Sequence, residues 1–133
     1  MESLMADFAD VTIVDLDVDR TEPSGKAAGL RHMHLRLSGE PPEEWVESFN
    51  NSRRFPRHGM WRHAWIEGAH IVVDCVPDEI EQYHLADLKQ DVAVANKEYR
   101  EHLQKAARAE EHDQREAANE RKRLEELRKR LSF

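Results

Sequence analysis

After Pro77 the chain runs for 56 residues without a glycine or a proline. Inside a helix those two residues cost about 1 and 3 kcal/mol relative to alanine. A stretch this long with neither restricts the second half of the chain to one long helix or a broken version of it. Pro77 suits the first helical position, where its missing N–H has no partner to lose. Asp78 and Glu79 suit the positive end of the helix dipole. Leu85, Leu88, Val92, Ala95, Tyr99, Leu103 and Ala106 then recur every three or four residues and make one apolar stripe. From Ala107 to Arg123 the stripe gives way to Arg, Glu, Asp, Gln, His and Ala. It returns as Leu124, Leu127 and Leu131, with Phe133 at the end.

An unbroken helix from Pro77 would be about 80 Å long at 1.5 Å per residue. A compact head built from the rest would be only about 30 Å across. The helix tail is therefore expected to protrude, fold back or find another chain. The expected organisation is a head over residues 1–106, which includes the first half of the helix. A charged helix with an apolar tip follows over 107–133.

The head reads as strands and one short helix. Residues 1–10 form an acidic lead-in. Val11 to Val18 alternates with β-branched residues, and Leu30 to Leu37 alternates again, with His32, His34 and Arg36 on one side. Thr21 to Lys26 reads as the connector between them. Pro42 opens a short helix to about Ser52, with Glu43, Glu44 and Glu47 near its positive end and Trp45 and Phe49 on one face. Met60–Glu67 and Ala69–Val76 flank Gly68 as a hairpin. The turn is Glu67-Gly68 or Gly68-Ala69, and either register puts Arg62, Ala64 and Ile66 with Ile71, Val73 and Cys75, and Trp61, His63 and Trp65 with Val72, Asp74 and Val76. The expected fold class is α+β: about four antiparallel strands in the order β-β-α-β-β-α, with one short helix and a very long C-terminal helix.

Charge narrows the function classes. The formal net charge is −7, and the head is the more acidic part. An acidic head argues against general nucleic-acid binding, which needs a positive footprint to displace counterions. A single cysteine, Cys75, excludes an intrachain disulfide and a cysteine-based zinc cage. No basic n-region opens the chain, and no run approaches the ~20 apolar residues of a membrane span. The expected setting is the reducing cytoplasm.

Candidate chemistry is sparse. Asp15–Asp19 begins like a calcium loop, but Arg20 stands where glycine is needed and Lys26 where a bidentate glutamate is needed. His32, His34 and His63 would hold a transition metal only if they converged. His63 shares a face with Asp74 and is directly opposite it in one of the two registers, which would make an oriented base, but no nucleophile accompanies it. Arg53, Arg54, Arg57 and Arg62, with Phe55 and Trp61 interleaved, make a local basic patch able to contact phosphates or stack on a base. Trp61 and Trp65 would present a contact face on the hairpin, since tryptophan is favoured at interface hot spots. Leu124, Leu127, Leu131 and Phe133 make a short coiled-coil-like seam at the helix tip.

Nothing pairs a nucleophile, a base and a pocket, and nothing calls for a cofactor or a metal. The expected role is non-catalytic: an interaction or scaffold module that self-associates, as a homodimer, through its long helix and its Trp-bearing face. One alternative is a nucleic-acid-associated regulator using the Arg53–Arg62 loop. Another is an acidic inhibitor or immunity-type protein that blocks a basic partner site.

Overall fold

The computed structural model describes residues 8–133, so most of the expected acidic lead-in lies outside the described residues. The fold is α+β. Four antiparallel strands, one short helix and a long C-terminal helix follow one another as β1 (Ile13–Pro23), β2 (Arg31–Leu37), α1 (Glu43–Ser52), β3 (Ala64–Glu67), β4 (His70–Cys75) and α2 (Leu85–Arg130). A π-helical turn, Ile80–His84, leads into α2. By density of contacts the chain divides into a unit spanning Ala9–Tyr99 and a second that contains Phe8 and Arg100–Phe133.

The sheet order is β1-β2-β4-β3, so β4 is an inner strand. That position explains why Ile71 to Cys75 are all buried. The β3–β4 register pairs Glu67 with His70 and Ala64 with Val73, leaving Gly68-Ala69 as the turn. Gly68 has φ +58°, a conformation that side chains rarely adopt, which accounts for glycine there.

Two expected strand limits move. β1 runs on to Pro23, five residues beyond Val18, through irregularities between Ile13 and Asp15 and between Asp17 and Glu22. Part of the expected connector is therefore strand, and Pro23 is tolerated because β1 is an edge strand. β3 begins at Ala64 rather than Met60. The backbone before it is engaged elsewhere: Trp61 N–H donates to the His58 carbonyl oxygen, and Arg53 Nη2 donates to the Arg62 carbonyl oxygen. Trp61 therefore lies in the α1–β3 loop and does not share the sheet face of Trp65.

The core lies on one face of the sheet. Met33, Leu35 and Leu37 of β2 and Ile71, Val73 and Cys75 of β4 are buried there, with Ala64 of β3. Trp45 and Phe49 of α1 stack at 5.7 Å between ring centroids, and Leu88, Val92 and Ala95 come from α2. Burying a side chain of this size contributes about 1.5–3 kcal/mol. The same stripe of α2 also carries two buried polar residues, Asp91 and Asn96. Asn96 Nδ2 donates to the Val11 carbonyl oxygen at 2.8 Å. Its Oδ1 accepts from Val11 N–H at 2.9 Å and from Trp45 Nε1 at 2.8 Å. One amide thus fastens the lead into β1 to both helices and satisfies the indole N–H that burial would otherwise leave unpaired.

Candidate docking surfaces and polar clusters

The basic loop turns most of its charge inward. Asp91 is wholly buried, and its carboxylate accepts four hydrogen bonds, two on each oxygen. Ser52 Oγ at 2.7 Å and Arg57 Nη1 at 2.9 Å donate to Oδ1; Arg53 Nη1 at 2.7 Å and Arg57 Nη2 at 3.1 Å donate to Oδ2. The two guanidinium carbons lie 4.0 and 4.7 Å from the Trp61 ring centroid. His58 Nε2 is 2.6 Å from Asp87 Oδ2. Arg62 donates through two nitrogens to Glu79, which His84 Nε2 also meets at 3.0 Å. The Arg62 hydrogen bonds, with His84, hold the Glu79 carboxyl below its ordinary range despite its burial. Of the four arginines expected to form a phosphate-binding patch, three meet these carboxylates, and the fourth, Arg54, has its guanidinium carbon 6.0 Å from the ring centroid of the exposed Phe55. The loop is a clamp on the start of α2. A charged residue on an apolar stripe, Asp91 three after Leu88, was the available sign of it.

The second face of the sheet carries its own cover. Trp65 sits between His63, stacked at 5.0 Å, and His32, edge-on at 5.3 Å. His34 lies 6.0 Å from His70, whose Nε2 is 3.2 Å from Asp17 Oδ2. His32 and His63 converge on Trp65, while His34 joins a different pair. Among the described residues no group of three or more His, Cys, Asp or Glu side chains is placed to hold a metal ion. Asp74 takes Lys26 as its ion partner at 3.3 Å, and its link to His63 is through backbone, Asp74 N–H to the His63 carbonyl oxygen. Burial would raise the Asp74 carboxyl, but Ser24, Lys26 and His32 together bring it below its usual value. Burial lowers the His34 imidazole, aided by His70 and Arg20 and opposed by Glu67 and Glu22. Burial likewise pushes the Cys75 thiol up to about 12. That is the environment of an inert packing cysteine.

The helix tip is the opposite case. Leu124, Leu127 and Leu131 are 57, 41 and 49% exposed, and Phe133 is fully exposed. All three leucines share one side of α2 at intervals of three and four. Leu131 lies just past Arg130, but its N–H still donates to the Leu127 carbonyl oxygen at 3.1 Å, so it keeps its place in the seam.

Comparison of the chain with protein-family models, with curated proteins and with solved structures finds no match.

Proposed function

We propose that this protein is a non-catalytic interaction module whose docking surface is the end of its long helix. The observation that carries this reading is the exposure of Leu124, Leu127 and Leu131 in one seam. A helix solvated on all sides gains nothing from a line of leucines, whereas an apolar line of this spacing is what a partner helix needs. The polar clusters of the head favour the same reading. Arg53, Arg57 and Arg62 of its loop are spent on Asp91 and Glu79, and its buried thiol is pushed up to about 12.

The test compares the wild-type chain with the Leu124→Ser/Leu127→Ser/Leu131→Ser variant, each tagged and produced in its native cells. Apparent size is measured in fresh extract by gel filtration. The wild type is expected to elute in a species well above its own 15.6 kDa and the variant to shift to the free chain. Identical elution of the two would reject the seam as a docking surface. The size of the larger species also reads out the homodimer expectation.

A further inference from the structure

The residues that wall the leucine seam say what kind of partner fits it. On a two-helix contact, the positions beside the apolar line are those next to it in the heptad. Here they are Arg121 and Arg128 on one side and Arg123 and Arg130 on the other. Arg128 also reaches Glu125 at 2.6 Å, along the helix surface. The acidic residues of this last stretch, Glu125 and Glu126, lie away from the seam. The side of the helix that carries the leucines is therefore apolar in the middle and arginine at both edges.

A second copy of the chain is a poor occupant of such a seam. In a parallel pair, Arg123 of each helix faces Arg128 of the other. In an antiparallel pair that layers leucine on leucine, Arg123 faces Arg130 and Arg121 faces Arg128. Either way like charges meet at the leucine layers, which is destabilising. An anionic lipid surface also fits badly. The seam is a narrow line of two heptad positions, not the broad apolar face of an interfacial helix. One and two heptads upstream, its positions are held by Glu120 and Asp113, with Glu116 at the edge. A helix lying on an anionic surface would press these carboxylates against it.

We infer that the seam takes a short amphipathic helix from a different chain, with an apolar line of its own walled by Glu or Asp. Arginine suits this pairing because its planar guanidinium meets a carboxylate through two parallel hydrogen bonds. The apolar line runs only from Leu124 to Leu131, so the paired length is little more than one heptad. The inference rests on the reading of the helix end as a docking surface.

Two labelled probe helices of about three heptads test it, both with leucine at the seam positions. One has glutamate at the flanking positions and the other lysine. Binding to the full chain is followed by fluorescence anisotropy at low and high salt, beside vesicles of equimolar phosphatidylcholine and phosphatidylserine. The glutamate probe is expected to bind at least about tenfold more tightly than the lysine probe, and less tightly at high salt. In the Arg121→Glu/Arg123→Glu/Arg128→Glu/Arg130→Glu variant the preference is expected to reverse. Binding of both probes with equal strength, lost on Leu124→Ser/Leu127→Ser/Leu131→Ser, would overturn the acidic partner and leave the docking seam standing. Glutamate-probe binding unaffected by that leucine variant would overturn the seam itself. Binding to neither probe, capture by the vesicles alone, or a dimer of the chain that survives the arginine reversal would each overturn the inference.

Discussion

Arg53 and Asp91 form a buried ion pair, 2.7 Å from Nη1 to Oδ2, across 38 residues of sequence. The Arg53 side chain is 5% exposed and the Asp91 side chain not at all. This pair joins the end of α1 to α2, and through Arg53 Nη2 it also holds the Arg62 carbonyl oxygen. One carboxylate thus ties the end of α1, and through Arg53 the backbone of the α1–β3 loop, to α2.

Removing that carboxylate is expected to be severe. Asp91→Ala leaves Arg53 buried without a counter-charge, a loss of about 3–5 kcal/mol. Arg57→Ala is expected to be milder, because Arg57 is a third exposed and Arg53 still satisfies Asp91. Urea unfolding of the two variants checks the order. Equal losses would show that the clamp is not centred on Arg53.

Asn96→Ala removes three hydrogen bonds and strands the Trp45 indole N–H and the Val11 backbone groups. A buried donor left without a partner costs about 1–3 kcal/mol. Faster amide exchange at Val11 than in the wild type is the specific sign, since its own N–H loses its acceptor, Asn96 Oδ1.

Acid is expected to weaken the head in two steps. His34 has a folded value below its ordinary 6.5, so the unfolded chain takes up a proton first. Its contribution is fully present above pH 6.5 and is lost as pH falls from there through the folded value. His34→Phe should flatten that part of the pH profile of unfolding midpoints. Asp74 and Glu79 have folded values below their ordinary 3.8 and 4.5. Their contribution is present above those values and is lost as pH falls through the folded ones. A wild-type midpoint that does not change between pH 7.5 and pH 5.5 would contradict the His34 step.

Cys75, with its thiol pushed up to about 12, presents almost no thiolate at neutral pH and is wholly buried. A thiol reagent should label it only as fast as the sheet opens, and at once in denaturant. Rapid labelling of the native chain would mean that β4 is not the inner strand of a closed core.

What the sequence made legible was what local rules govern. The alternation of β2, the limits of α1, the turn at Gly68 and the face that Ala64 shares with Val73 all follow from side-chain period and turn chemistry within a few residues. The carboxylates that take up Arg53, Arg57 and Arg62 stand 38, 34 and 17 residues further along the chain, and no local pattern announces such partners. For the same reason alternation alone puts Trp61 on the sheet, whereas tertiary contacts with two arginines hold it in a loop. The leucines of the tip were plain in the sequence. The arginine walls beside them were equally available, but they acquire meaning only once the helix is continuous through Arg130.

The most direct measurement is a cross-linking scan around the helix end. A photo-reactive phenylalanine analogue replaces Leu124, Leu127, Leu131, Lys122, Glu126 or Lys129, one at a time, in the full chain in its native cells. Adducts of defined mass are expected at Leu124, Leu127 and Leu131 and little at Lys122, Glu126 and Lys129, which lie on other sides of the helix. Adducts of equal yield at all six positions, or at none, would contradict the claim that this seam is where the protein meets its partner.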